Sequence, residues 1–203
     1  MKNFVFMLFV MICGVVFFSN SCRAVTVAEA MGFEVTNDVW VTEADLSQFT
    51  LSDLWCEHVE SGSYTLLRRG GARTTAYIKQ GQYALKWDRH NEFPTLSTTY
   101  VNTDWSGFST VSFWVYSEVA TGETIYFAVC SDNASTAWKD FYYTSFVVNW
   151  NGWQQVTVSL SSFSQYESPD GWDNVSKVVF YTKAFAKQPN PYTVLYLDDM
   201  NCQ

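Results

Sequence analysis

Histidine is nearly absent: His58 and His90 are the two in 203 residues. Neither stands in an H-E-x-x-H metal motif, and no serine occupies a G-x-S-x-G nucleophile elbow. His90 beside Arg89, with Tyr100, could be drawn into a lyase-like base and charge-neutralising group. Asp88, Glu92 and Asp104 could be drawn into a glycosidase pair. Nothing in their spacing specifies either scheme, and they read as polar loop residues. An enzyme is not the expectation. Basic residues are also few, with 12 lysines and arginines against 20 aspartates and glutamates. That balance excludes nucleic acid and anionic membrane as natural partners. Arg68, Arg69 and Arg73, around Gly70-Gly71, form the one basic cluster, read as a solvated hairpin tip or an oxyanion-binding group. There are 5 cysteines, and none form a C-x-x-C pair, so zinc ribbons and thioredoxin-like redox sites are excluded. Sustained helical periodicity is missing as well.

What is present begins with a leader. After Met1-Lys2-Asn3, an unbroken apolar run spans Phe4 to Phe18, 15 residues. A bilayer-spanning helix needs about 20, so the run fits the core of a secretory signal better than an anchor. Small polar residues then lead to Cys22-Arg23-Ala24, with cleavage expected after Ala24. Residues 1–24 are therefore read as a signal peptide and 25–203 as a single domain with no membrane span. Lipid attachment at Cys22 is the alternative, disfavoured because Ser19 stands where such signals carry leucine. The expected location is outside the cytoplasm: secreted, periplasmic or on the cell surface. Losing Lys2 and Arg23 with the leader takes the formal net charge from −8 to −10. Cys56, Cys130 and Cys202 remain, an odd set. An oxidising compartment permits one bridge, such as Cys56 with Cys202, although spacing alone leaves the pairing open.

The mature chain is rich in aromatic residues, with 9 Trp, 12 Tyr and 16 Phe over the full sequence. Aromatic and β-branched side chains suit a pleated, half-buried surface. Period-two alternation marks strands over 111–117, 124–130, 141–148, 152–160, 175–182 and 192–200, separated by turn signals such as Asn151-Gly152 and Pro169-Asp170-Gly171. On these, Val111, Phe113 and Val115, then Ile125, Phe127 and Val129, then Leu195 and Leu197 point to one side. Earlier strands are expected over 32–35, 81–87 and 95–100. Segments 63–67 and 72–78 are expected to pair across Gly70-Gly71, with one or two helical turns within 44–55. Nine to eleven short strands with frequent turns predict an all-β, two-sheet antiparallel sandwich, a jelly roll.

The series Phe33-Glu34, Gly81-Gln-Tyr-Ala-Leu-Lys-Trp-Asp88, Phe108-Ser-Thr-Val-Ser-Phe-Trp-Val-Tyr-Ser117, Trp153-Gln-Gln-Val-Thr-Val158 and Tyr196-Leu-Asp-Asp-Met200 resembles a carbohydrate-binding-module-like jelly-roll domain. The particular likeness is to the N-terminal domain of chondroitin ABC-type and related polysaccharide lyases. The resemblance implies polysaccharide as partner, alongside a separately encoded glycan-active enzyme or surface protein. It also implies a structural calcium between the first and last strands, held by Glu34 and Asp198, since calcium takes six to eight oxygens. Strict alternation would turn Asp198 away from the core and Asp199 toward it, unless a bulge intervenes.

Sugars stack their apolar faces on flat rings and hydrogen-bond at the rim. The aromatic candidates for such contact are Trp114 and Tyr116, opposite the core side of their strand, Tyr126 and Tyr142 on neighbouring strands, Trp138 in a polar connection, and Trp172 after Pro169-Asp170-Gly171. Trp87 and Trp153 are assigned to packing. The competing reading uses the same sandwich as a structural or adhesive surface for protein contacts.

Overall fold

The computed structural model describes residues 27–33, 40–43, 68–70, 72–136 and 140–203. Residues 1–26, with the expected signal peptide, its expected cleavage after Ala24 and Cys22, lie outside the described residues, as do Glu34, Cys56, Trp138 and the segment 44–55.

Within the described residues one short helix, α1 (Val27–Met31), precedes twelve strands: β1 (Val41–Glu43), β2 (Arg68–Gly70), β3 (Ala72–Thr74), β4 (Ala84–Trp87), β5 (Thr95–Thr98), β6 (Thr110–Ser117), β7 (Thr124–Cys130), β8 (Phe141–Val147), β9 (Gly152–Ser159), β10 (Ser164–Tyr166), β11 (Lys177–Tyr181) and β12 (Leu195–Cys202). They form two sheets, β10-β8-β7-β11-β5-β1-β2 and β3-β4-β12-β6-β9. The pairings are antiparallel. The protein is an all-β, two-sheet antiparallel β-sandwich with jelly-roll-like topology.

Alternation drives this arrangement. Val111, Phe113 and Val115 of β6 are fully buried, as are Ile125, Phe127 and Val129 of β7. Phe113 meets Phe127 and Phe180 across the interface, each with ring centroids 5.1 Å away. Burying one such ring contributes about 1.5–3 kcal/mol. Leu85, Trp87, Leu195 and Leu197 complete the inner face of the smaller sheet. The chain's beginning seals one flank: Trp40 stacks on Phe33 at 4.8 Å and donates its indole N–H to the Ala30 carbonyl at 2.8 Å.

Three expectations are corrected. Gly32 and Phe33 do not open a strand; they form the turn that ends α1, with Phe33 at φ 58°. Of the pairing expected around Gly70-Gly71, segment 63–67 lies outside the described residues; the strands on either side divide between layers, β2 in the larger sheet and β3 in the smaller. The chain crosses between layers there, so the arginines flank a crossover and not a hairpin tip. Cys202 is a free thiol and Cys130 is disulfide-bonded, which rules out a Cys56–Cys202 bridge. The partner of Cys130 lies outside the described residues. Burial pushes the Cys202 thiol up to about 12.

The last strand carries a bulge. Its register with β6 shifts between Asp198 and Asn201, and Asp199 adopts φ 48°. An inserted residue reverses the alternation, so Leu195 and Leu197 face the core before it and Met200 after it. Asp199 is consequently not the inward residue, while Asp198 is fully buried on the outer side.

Candidate functional site

Each sheet also carries aromatic residues on its outer face, and those of the larger sheet are the more deeply buried: Tyr126, Phe141 and Tyr181 form a second buried cluster, while Trp114 and Tyr116 are half-buried. On the larger sheet, register places Tyr181 of β11 beside Tyr126 of β7, and Ala128 beside Tyr143 of β8. The Tyr126 and Tyr181 rings stack at 5.2 Å and 9°. Phe141 and Tyr166 stack at 4.9 Å and 10°. Phe185, from the segment after β11, lies 5.2 Å from both Tyr126 and Tyr143. It remains 38% exposed. Phe185 and Ala186 both take left-handed backbone, φ 48° and 63°. Such conformations in non-glycine residues cost about 1–3 kcal/mol each and gather at binding and catalytic sites.

Polar atoms are set among these rings. Thr95 of β5 pairs with Tyr181. The Tyr181 hydroxyl and Thr95 Oγ1 are both buried, and neither has a hydrogen-bond partner among the described residues. Buried hydroxyls nearly always find partners, since an unmet one costs about 1–3 kcal/mol. Burial pushes the Tyr181 phenol far above its ordinary range, and the neighbouring Tyr126 and Tyr143 phenols add to the effect. Burial likewise raises Tyr126. These hydroxyls therefore stay neutral, each able to donate and accept.

On the smaller sheet, too, the outer rings are packed by the protein itself. Residues 75–82 lie across β12 and β6. Tyr77 stacks on Tyr116 at 3.9 Å and meets Tyr196 edge-on at 4.7 Å. Lys79 Nζ sits 3.8 Å from the centre of the Trp114 ring. Trp153 packs edge-on against Trp114 and Tyr116. Tyr196 donates its hydroxyl to Glu118 Oε1 at 2.8 Å. Asp198 fastens the covering segment: its Oδ2 accepts the backbone N–H groups of Lys79 and Gln80 at 2.6 and 3.0 Å. Its Oδ1 is buried with no hydrogen-bond partner among the described residues. Burial raises the Asp198 carboxyl, opposed in part by those amides.

The six aromatic candidates are thus dispersed. Trp114 and Tyr116 lie on the outer face of the smaller sheet and Tyr126 on that of the larger. Tyr142 faces inward, opposite Val129, and is buried, contrary to the expected outward face. It stacks on Trp172 at 4.0 Å, and Trp172 lies parallel to Trp105 at 6.1 Å, so this trio packs one end of the core. Trp138 is outside the described residues. Trp153, assigned to inward packing, is on an outer face. Tyr143, Tyr181 and Phe185 were not among the candidates; Tyr181 is beside Tyr126 in register, while Tyr143 and Phe185 join through ring contacts that no sequence pattern signals.

The polar residues considered for catalysis have local roles. His90 is buried, its Nδ1 2.8 Å from Glu123 Oε2. Arg89 pairs with Glu92 at 3.0 Å, Lys86 with Asp88 at 2.9 Å, and Asp104 accepts from Ser106. Among the described residues no three His, Cys, Asp or Glu side chains gather into a metal site. No helix among them is long and apolar enough to cross a membrane.

No family model and no curated protein matches the sequence. Solved structures do. The chain is similar to a family 11 carbohydrate-binding module from Clostridium thermocellum in complex with a β-1,3-1,4-mixed-linked tetrasaccharide, at 14% identity over 81% of this chain and 95% of that one, TM-score 0.49. It is similar to a family 30 carbohydrate-binding module, at 12% identity over 66% and 84%, TM-score 0.49. It is also similar to a family 61 module in complex with β-1,4-galactotriose, at 14% identity over 89% and 99%, TM-score 0.44. None of the three reaches a TM-score of one half, so the functional reading rests on the residues themselves.

Proposed function

We propose that this chain is a non-catalytic polysaccharide-binding domain that acts outside the cytoplasm. Its binding surface is the outer face of the larger sheet, at Tyr126, Tyr143, Tyr181 and Phe185. The observation that carries this reading is the pair of hydroxyls, Tyr181 and Thr95, buried just beneath these rings with no partner among the described residues, which a glycan meets when the rings over them open. Flat rings beside unused donors and acceptors match a pyranose, which has an apolar face and a hydroxyl rim. Neutral phenols favour uncharged sugars. The separately encoded enzyme or surface protein belongs to the proposal as the source of any catalysis.

The test is retention of the mature protein by a panel of immobilised polysaccharides, including mixed-linked β-glucan, β-1,4-galactan and an acidic glycan. The expected result is retention on a neutral glycan, relieved by the free oligosaccharide. Failure across the panel would refute the reading. The second reading places the same function on the opposite face instead, at Trp114, Tyr116 and Trp153, and is favoured by Tyr77 being 41% exposed above them.

Calcium remains part of the proposal. Asp198 Oδ1 is an orphaned buried carboxylate oxygen, the kind of atom a hard cation would take. Asp198 would supply one ligand and Glu34, from the chain's beginning, another. The ion would act structurally there, neutralising a buried charge and joining distant parts of the chain.

A further inference from the structure

The segment joining β11 to β12 displays a second exposed ring. Phe185 lies in the aromatic surface, and seven residues on Tyr192 stands 82% exposed. The backbone around Tyr192 is held closely. Asn190 donates its N–H to Glu123 Oε1 at 2.8 Å, and Tyr192 donates its own to Asn190 Oδ1 at 3.0 Å. Thr193 donates to the Asn190 carbonyl at 3.2 Å, and its buried hydroxyl meets that of Thr121 at 2.7 Å. Pro189 and Pro191 flank Asn190, each fixing its own φ.

The anchor of this turn is a buried carboxylate. The Glu123 side chain is 1% exposed, and its second oxygen faces His90 Nδ1, on a ring packed 4.1 Å from Trp87. Burying a carboxylate is expensive unless its oxygens are met, and one of these is met by the turn itself. The fold thus spends a buried pair on fixing a turn whose outcome is a tyrosine ring standing in water. A ring carried on a fixed backbone gives up only its own side-chain torsions when a ligand stacks on it.

We propose that Tyr192 is an outboard stacking position for the same polysaccharide chain, with Glu123 and His90 as its positioning residues. The inference rests on the glycan-binding reading above. Its occupant is that chain because one segment carries both rings, and their Cα atoms can be no more than about 25 Å apart, within reach of one extended oligosaccharide. Short fragments would fill the surface at Tyr126 and Phe185; only longer ones would reach Tyr192.

Calorimetric titration with graded fragments of mixed-linked β-glucan and of β-1,4-galactan tests this. Tyr192→Ala should bind short fragments as the wild type does and long ones about five- to tenfold more weakly. Tyr192→Phe should keep wild-type affinity at every length, because stacking survives. Glu123→Ala should reproduce the long-fragment loss while leaving short-fragment affinity unchanged. Equal affinity of wild type and Tyr192→Ala at every length, with the wild type binding, overturns this inference alone. Equal loss at all lengths in Glu123→Ala overturns the positioning role. No binding of any fragment by the wild type overturns the glycan reading and this inference with it. Sedimentation that detects a dimer lost in Tyr192→Ala overturns it in favour of self-association.

Discussion

Replacing Tyr181 by Phe removes a single oxygen from the centre of the proposed surface and should move stability and binding in opposite directions. The hydroxyl is buried, has no partner among the described residues, and sits on a side chain 1% exposed. A buried hydroxyl left unmet destabilises by about 1–3 kcal/mol, so its removal should stabilise the free protein by a comparable amount. Taking about 1 kcal/mol as the lower bound, a domain of this size should melt about 2–4 °C higher. The ring itself still stacks on Tyr126, so packing is kept. With glycan bound and the rings over it opened, the same oxygen is a hydrogen-bonding group, and its loss should weaken affinity about three- to tenfold. The assay is thermal unfolding of the free protein beside calorimetric titration with the retained polysaccharide. Lower stability in Tyr181→Phe would mean that the hydroxyl is already satisfied in the free protein. That result, with unchanged affinity, would refute the reasoning.

Phe185→Ala should weaken glycan binding by a similar factor with little change in melting temperature, since the ring is 38% exposed; Trp114→Ala, on the opposite face, should leave affinity unchanged, and binding isotherms of the two compare the surfaces directly. Exhaustive chelation should lower the melting temperature by several degrees, restored by calcium, and Asp198→Asn should abolish the difference; a chelation-insensitive wild type would remove calcium from the account. Because burial pushes the Cys202 thiol up to about 12, little thiolate forms at pH 8, and iodoacetamide should modify Cys202 at least about tenfold more slowly in the folded than in the unfolded protein, as peptide mass analysis would follow. The sign is that of a raised thiol: reactivity grows only as pH climbs toward the folded value.

The sandwich could be read from strands whose two sides differ. In β6 and β7 one side is aliphatic or Phe throughout, so alternation fixes both the strand and its orientation. In β8 the run Phe141-Tyr142-Tyr143 is aromatic at three successive positions and carries no such contrast. Only pairing with β7 decides that Tyr142 faces in, opposite Val129, and Tyr143 faces out, opposite Ala128. A shift of one residue would exchange their roles, and a single sequence holds no information on that register. A bulge at Asp199 was open as an alternative to strict alternation but could not be fixed, because a non-glycine residue takes the left-handed backbone there. Strands β1 and β10, with three residues each, are too short for any period. Phe185 and Tyr192 belong to an aperiodic connection, and their prominence depends on contacts from Tyr126, Tyr143 and Glu123. Tyr126 was therefore identified from its strand, while its neighbours required the fold.

The central claim concerns which face meets sugar. Amide chemical-shift mapping of the protein during titration with its retained polysaccharide fragment tests this most directly. The account predicts changes concentrated in β7, β8, β11 and the segment around Phe185, with β6, β9 and residues 75–82 unmoved. Changes confined to Trp114, Tyr116 and Trp153 on the opposite face would contradict it.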